Sequence, residues 1–404
     1  MRLIADLHIH SRFSYACSRE MEAERLAWWA KRKGIDLLGT GDFTHPIYLT
    51  YLKNQLEPAE TGLFRLRQGE RDTRLMLTVE ITNIFRQDGR LRKTHTLIFA
   101  PSFTVVERLN AQLKKHGNLA TDGRPTLKCS ARDLLKIVKD VAPECEVIPA
   151  HVWTPWFSVL GALSGFDSLE ECYGDDARAI RAVETGLSSD PAMNRRLSRL
   201  DSVALISNSD AHSPRKLARE ANVLDCELSY SGVVEALASR DSERFLYTIE
   251  FFPEEGKYHL DGHRQCQVRL YPGETRKLRG VCPVCGKKLT IGVLHRVDAL
   301  ADREEQPQAA DKIPAKHLLP LEEIIAAAYG QKPNTKKVTL TYDRLVERHG
   351  SELAILLERT ENELAEDVPE RILKGILRVR RGEVRITPGY DGEYGKIALF
   401  DEAG

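Results

Sequence analysis

At 404 residues, with 42% hydrophobic and 29% charged side chains, the chain has the composition of a soluble globular protein of more than one domain. Lys+Arg and Asp+Glu are equal at 59 each, so net charge gives no support for a nucleic-acid partner and any such surface must be local. No apolar run approaches the roughly 18 residues of a membrane span. The opening MRLIADLHIH puts Asp6 and two histidines where a signal peptide would be apolar, so a cytoplasmic protein is expected.

In chain order, the first 240 residues alternate short apolar runs with helix-length segments. The runs are 2–5, 35–39, 75–79, 96–99, 147–150, 179–183 and 203–206, rich in Ile, Leu and Val as buried parallel strands are. Helical patterns fall at Glu20–Lys33, Phe103–Lys115, Ala131–Val141 and Pro191–Ser198. Strands joined by such crossovers favour a barrel-like α/β fold over an open sheet. From residue 251 the pattern changes. FFPEEGKYHLDGH is turn-rich, a cysteine cluster follows, and 303–320 reads as a loop or linker. The remainder holds helical segments at Leu321–Tyr329, Asp343–Arg348, Glu352–Glu358 and Glu370–Arg378, then a β-like Glu383–Ile386 and a glycine-rich turn. Three regions are expected: 1–250, 251–302 and a mainly helical 303–404.

Nearly every run ends in a polar residue. The first leads into Asp6-Leu7-His8-Ile9-His10, the second into Asp42 and His45, the third into Glu80, the fifth into His151, the sixth into Glu184 and the seventh into Asp210 and His212. His95 is the exception, at the N-terminal edge of the fourth. In an α/β barrel the carboxyl ends of the strands converge on one face, so these side chains would meet. Imidazole and carboxylate suit Zn²⁺, Mn²⁺ and Fe²⁺. Residues i and i+2 of an extended segment point the same way, so His8 with His10, and Asp210 with His212, can grip one metal cluster. A bridging carboxylate such as Glu80 can hold two metals about 3.5–4 Å apart, an arrangement that activates water and clamps an in-line phosphoryl displacement. One histidine near a strand end is usually an ordinary core or surface residue; the whole set is not explained that way.

D-L-H-I-H at the start, Glu80, His95, His151 and S-D-A-H around Asp210 resemble the successive motifs of PHP-domain (polymerase and histidinol phosphatase) phosphoesterases over about residues 1–240. The resemblance implies a distorted (β/α)7 barrel with bound metals. It carries over His8, His10, Glu80, His95, His151, Asp210 and His212 as ligands, with Glu80, Asp210, His8 and His10 at the centre of catalysis. Two departures stand out. The family's T-D-H reads Gly41-Asp42-Phe43 here, so Asp42 or His45 would substitute, and the further histidine that often follows H-x-H is absent from Ser14-Tyr15-Ala16-Cys17.

His263-x-x-Cys266 followed by Cys282-Pro-Val-Cys285-Gly has the spacing of a closed tetrahedral zinc site, with His259 and His295 as rival fourth ligands. Such a site would be structural and would fold a small segment around the metal.

The order of barrel motifs, zinc module and tail, with EGKYHLDGHRQC, CPVCGKKLTIGVLHRVDALADR, LLPLEEIIAAAYG and PGYDGEYGKIALFDE, resembles the endonuclease Q family over essentially the whole chain. That resemblance implies a DNA-repair hydrolase that cuts the backbone 5′ of a deaminated base (uracil, hypoxanthine, xanthine) or an abasic site. Damaged DNA would be its partner, zinc would sit in the module and in the barrel, and Mg²⁺ or Mn²⁺ would support activity. Local basic clusters at 65–67, 90–93 and 378–381 are candidates for phosphate contact. Trp153 and Trp156, just after His151, and Tyr390 and Tyr394, in the last turn, are candidates for stacking on an extruded base. Two other functions use the same features: a phosphatase for a small phosphomonoester, and a non-catalytic nucleic-acid-binding protein.

Overall fold

The computed structural model describes residues 1–304 and 313–400. It is a mixed α/β fold with a helical C-terminal part. The strands around the site are β1 (Arg2–Asp6), β2 (Leu37–Gly39), β3 (Arg74–Gln87), β4 (Arg90–Ala100), β5 (Glu146–Pro149), β6 (Ala182–Glu184) and β7 (Ala204–Ile206). Two more, β8 (Ala221–Asp225) and β9 (Phe245–Glu250), extend the sheet beyond β1.

Strand direction departs from an all-parallel reading. β1–β2, β2–β3 and β6–β7 are parallel, but β4 is antiparallel to both β3 and β5. The cause is local. Asp88 and Gly89, both at positive φ, join Gln87 directly to Arg90. Asp-Gly as a two-residue loop is a strong hairpin signal, since its twist matches that of the paired strands. The fourth apolar run is thus the end of a long hairpin strand. His95 lies inside it, opposite Thr82, and its strand approaches the site from the reverse direction.

The helix Ala23–Lys33 buries Leu26, Trp29 and Ala30 against the C-terminal helices Leu321–Tyr329, Lys336–His349 and Glu370–Arg380. The last and first of those C-terminal helices cross closely at Gly375, where a Cβ would come within 2.8 Å of Ile324. Several helix bounds shift. Asp343–Arg348 is part of the longer Lys336–His349, and Glu352–Glu358 is helical throughout but takes π form from Ala354. Pro191–Ser198 stops as a helix at Asn194, whose side-chain amide bonds back to the Asp190 carbonyl at 2.8 Å and competes with the helical ladder. The linker reading of 303–320 holds a strand, Ala315–His317, which pairs in parallel with β9; residues 305–312 of that stretch lie outside the described residues. The β-like Glu383–Ile386 is Arg385–Thr387, paired with Lys396–Ala398. Among the described residues no helix is long and apolar enough to cross a membrane.

A fully buried ion pair is among those that join the helix Ala23–Lys33 to the C-terminal part. Lys33, 1% exposed, places Nζ 2.6 Å from Glu352 Oε2, while Glu352 Oε1 accepts from the Leu321 backbone N–H at 3.1 Å. Removing one partner of a buried pair strands the other charge. Glu352→Ala is expected to cost about 3–5 kcal/mol, read as a lowered midpoint in urea unfolding. An unchanged midpoint would show that water already screens Lys33.

Candidate metal centre

β1 ends in Asp6 and leads into His8 and His10, with Ile9 between them bridged in parallel to Ala211. Asp6 is a brace: its oxygens accept from the backbone N–H groups of Ser209 and Ala218, both at 3.0 Å, and fix the loop that carries Asp210. Burial pushes its carboxyl up to about 6 against the pull of those bonds.

His8 and His10 are each held from behind by a carboxylate. His8 Nδ1 lies 3.0 Å from both oxygens of Glu184, and His10 Nδ1 lies 3.2 Å from Asp42 Oδ1. Asp42 is itself fixed by Ser11 N–H and Oγ at 2.6 Å and Ser14 Oγ at 2.8 Å. A carboxylate on one ring nitrogen sets the tautomer and aims the other nitrogen outward, as in metal-binding histidines. Here the aimed nitrogens meet acids. His10 Nε2 is 3.0 Å from Asp210 Oδ1 and 3.3 Å from Glu80 Oε2. His8 Nε2 is 3.6 Å from the same two atoms and, though buried, has no hydrogen-bond partner.

On the other side of Glu80, His95 Nδ1 and His151 Nε2 approach Oε1 to 2.7 and 3.0 Å and each other to 3.2 Å. The donor atoms of His8, His10, Glu80 and Asp210 lie within 4.8 Å of one another, as do those of Glu80, His95 and His151, so Glu80 belongs to both groups. Asp42, His151 and Asp210 sit just past strand ends with φ of 50°, 29° and 47°. Such left-handed backbone in non-glycine residues persists where a site requires it.

The electrostatics follow from crowding. Burial opposes protonation of His8 and His10, but Glu184, Asp210, Glu80 and Asp42 outweigh it and hold both imidazoles well above their ordinary range. Burial likewise opposes ionisation of Glu80 and Asp210, and the neighbouring cations hold both well below the usual carboxylate range. His95 goes the other way: burial pushes it down to about 4 despite Glu80. An orphaned buried nitrogen, converging lone pairs and carboxylates that stay ionised are the donor set of a divalent-cation site, so the residues fit one.

Other expected residues divide. His212 lies tilted beside His10 with ring centroids 4.6 Å apart, but its Nδ1 contacts the Asp210 backbone oxygen at 2.9 Å and it stands outside the two groups. His45 does not reach them either. It caps the helix Pro46–Gln55 through Tyr48 N–H and stacks on Phe13 at 4.4 Å, so Asp42 is the one that abuts the centre. Phe43, in the family's usual histidine position, is fully buried in the core. No spacing in the sequence marks Arg124, yet its Nη1 lies 3.0 Å from Glu80 Oε2.

A second cluster joins His263, Cys266, Cys282 and Cys285, again within 4.8 Å, with His263 Nδ1 3.6 Å from Cys285 Sγ. Burial opposes ionisation of the Cys282 thiol, but the backbone N–H groups of Cys285 and Val284 outweigh it and lower its pKa. The rival histidines face elsewhere: His295 Nδ1 bonds Asp261 at 2.5 Å, and His259 is buried beside a cavity.

That cavity, about 970 Å³, opens beside Asp210 and His212 and is walled by Trp156, Tyr258, Lys257 and Tyr394. Trp156 and Tyr394 are 43% and 72% exposed and remain available to a ligand. Trp153 is not: it is fully buried and its Nε1 donates to Asn194 Oδ1 at 2.8 Å. Tyr390 is mostly buried and packs against Gly262, where a Cβ would come within 2.3 Å of its ring. The basic clusters are largely spent on the fold. Arg65 pairs with Glu57, Arg92 bonds the Gly165 carbonyl and Glu171, and Arg378 and Arg380 bond backbone carbonyls of the tail.

Comparison with known proteins gives this arrangement a family. The lesion-specific endonuclease PfuEndoQ of Pyrococcus furiosus superposes with a TM-score of 0.88 at 31% identity, over 98% of this chain and 95% of that one. The chain belongs to the endonuclease Q family. A structure of endonuclease Q with a 27-mer duplex carrying an abasic lesion at the active site matches at a TM-score of 0.85 and 31% identity, over 98% and 96% of the two chains. The uncharacterized protein YqxK of Bacillus subtilis is 30% identical over 418 residues, covering 98% of this chain and 99% of that protein. MJ0043 of Methanocaldococcus jannaschii, also uncharacterized, is 33% identical over 257 residues; the match spans 62% of this chain and only 31% of that protein. The MJ0043 C-terminal domain model matches residues 320–383, the helical tail packed against the helix Ala23–Lys33.

Proposed function

We propose that the chain is a repair endonuclease that hydrolyses the DNA backbone 5′ of a deaminated base (uracil, hypoxanthine or xanthine) or an abasic site, leaving a 3′-hydroxyl and a 5′-phosphate. The observation that carries this reading is the juxtaposition of the Glu80-centred donor groups with the cavity that opens at Asp210. In this reading residues 1–250 form a distorted barrel of the PHP kind, residues 251–302 a zinc module, and residues 303–404 a recognition tail. His8, His10, Glu80, His95, His151 and Asp210 would hold divalent cations in the barrel, with His212 beside them; His263, Cys266, Cys282 and Cys285 would hold a structural zinc. Bound cations supply water activation near neutral pH and neutralise charge on the phosphoryl oxygens.

The protein's own residues do the rest. Glu184 and Asp42 keep His8 and His10 in the tautomer that presents Nε2. The cavity receives an extruded nucleotide, and Trp156, edge-on to Tyr258 at 5.7 Å, offers it a stacking face with Tyr394. Glu184→Gln keeps the shape but weakens the hold on His8, and is expected to lower cation affinity by about 10–100-fold, read by isothermal titration with Mn²⁺. Equal affinity in wild type and variant would remove Glu184 from this role.

The deciding experiment maps cleavage of end-labelled duplexes bearing uracil, hypoxanthine, xanthine or an abasic site with Mg²⁺ or Mn²⁺. A single nick on the 5′ side of the lesion, absent from undamaged duplex and from chelator-treated reactions, is expected. Rapid hydrolysis of p-nitrophenyl phosphate without any nick would make the chain a small-ester phosphatase instead. DNA binding with no metal-dependent turnover would make it a non-catalytic binder.

A further inference from the structure

Arg124 has no part in the donor set, yet it reaches the middle of it. Its Nη1 is 3.0 Å from Glu80 Oε2, the oxygen that His10 and His8 also approach, at 3.3 and 3.6 Å. Glu80 also has four imidazoles beside it, so Arg124 is not its only polar neighbour. The Arg124 side chain is 23% exposed, so it is not fully enclosed by the donor set.

Its placement is built rather than incidental. The loop 122–125 is fastened at every residue. Asp122 Oδ2 accepts from Tyr15 N–H at 3.2 Å, and its Oδ1 from Arg124 N–H at 2.9 Å. Gly123 N–H donates to the Phe13 carbonyl at 3.0 Å, and Thr44 Oγ1 donates to the Gly123 carbonyl at 3.4 Å. The Pro125 carbonyl accepts from Thr82 N–H at 3.0 Å, beside the strand position that faces His95. At Gly123 a Cβ would come within 2.2 Å of Asp42 Oδ2, so the backbone lies flat against the carboxylate that orients His10. The loop therefore shares its footing with both sides of the centre and carries one cation into it.

Cations held by Glu80 would take up the charge that now attracts the guanidinium and would repel it. Asp210, the other acid of the donor groups that attracts it, would be engaged by the same cations, and a substrate phosphate entering that space would offer the guanidinium a free anion. A planar fork of N–H donors matches two phosphate oxygens at once, and a lysine ammonium does not. We propose that Arg124 binds the non-bridging oxygens of the scissile phosphate and stabilises the charge that grows on them in the transition state. This rests on the phosphodiesterase reading above, with Arg124 touching substrate rather than metal.

The test uses the full chain as Arg124→Ala and Arg124→Lys beside wild type. Titration of Mg²⁺-supplied protein with inorganic phosphate should show Arg124→Ala binding at least about 10-fold more weakly. On an abasic duplex, kcat should fall by about 10²–10³-fold with KM changed by no more than a few-fold, and Arg124→Lys should recover only a minor share. Mn²⁺ stoichiometry and the thermal midpoint should match wild type. The assignment is overturned if Arg124→Ala binds phosphate as wild type does, if Arg124→Lys restores full turnover, or if Arg124→Ala loses its cations, which would make the arginine a structural counter-ion. Should wild type fail to nick lesion DNA, the endonuclease reading falls, while the phosphate titration still decides the role of Arg124.

Discussion

Asp210→Asn is expected to lower nicking of a lesion duplex by about 10³-fold or more while leaving duplex binding within a few-fold of wild type. Asp210 Oδ1 is the atom that His10 Nε2 meets at 3.0 Å and His8 Nε2 at 3.6 Å, so it stands on the boundary between the donor groups and the cavity. Asparagine is close to isosteric and is among the few residues that accept the left-handed backbone found here at φ 47°, so the loop keeps its shape. What changes is charge. A neutral amide is a poor partner for a divalent cation, and it no longer offsets the two imidazoles that burial and Asp210 together govern. The surfaces that would grip DNA, including Trp156 and Tyr394, are untouched. Single-turnover cleavage and fluorescence anisotropy on one abasic duplex separate the two effects. Nicking at the wild-type rate would remove Asp210 from the centre. Loss of binding together with cleavage would show that it acts by holding the duplex.

The donor set was legible because its residues obey a rule that survives without coordinates: polar side chains at the ends of buried strands meet on one face. His8, His10, His151 and Asp210 follow it; Glu80 does not end its strand, because the run 75–79 continues in β3 as far as Gln87. His95 is likewise mid-strand: the Asp88-Gly89 turn folds β4 back along β3, and pairing across the hairpin, not a strand end, carries it to Glu80. Two kinds of feature were not legible. One is the direction of side chains that share a short stretch. Asp42 and His45 are three residues apart, yet one abuts His10 and the other caps a helix, and Trp153 and Trp156 divide between core and surface in the same way. The other is any residue brought to the site by a loop. Arg124 lies in 122–125, where no periodicity exists to read, and its position depends on bonds to Tyr15, Phe13, Thr44 and Thr82, far away in sequence. The basic clusters misled for a related reason. Charge along a sequence does not reveal which arginines already serve backbone carbonyls, as Arg378 and Arg380 do.

Loss of the zinc proposed for His263, Cys266, Cys282 and Cys285 should unfold the segment around residues 264–288 and leave the rest of the chain standing. Between those residues only Pro272, Thr275 and Cys282 are buried, while Tyr271, Leu278, Val281 and Val284 are 36% exposed or more. So small a core cannot offset the entropy of ordering the segment. A tetrahedral zinc site supplies about 10 kcal/mol or more at neutral pH, and only as long as its ligands are together. Cys282→Ser is therefore expected to lower the zinc content by about one equivalent and open new protease cuts within that segment. The damage should also travel. Arg264 N–H and Thr290 Oγ1 both donate to Asp391, at 2.6 Å each, and Arg269 Nη1 donates to the Pro388 carbonyl at 3.0 Å. These bonds hold the turn that carries Tyr394 into the cavity wall. Lesion nicking should fall with zinc release even though no residue of the Glu80-centred groups has changed, and hydrogen exchange of the sheet should stay as slow as before. A zinc-free protein whose residues 264–288 resist protease would mean that the module folds without metal, and the thiols would then need another role.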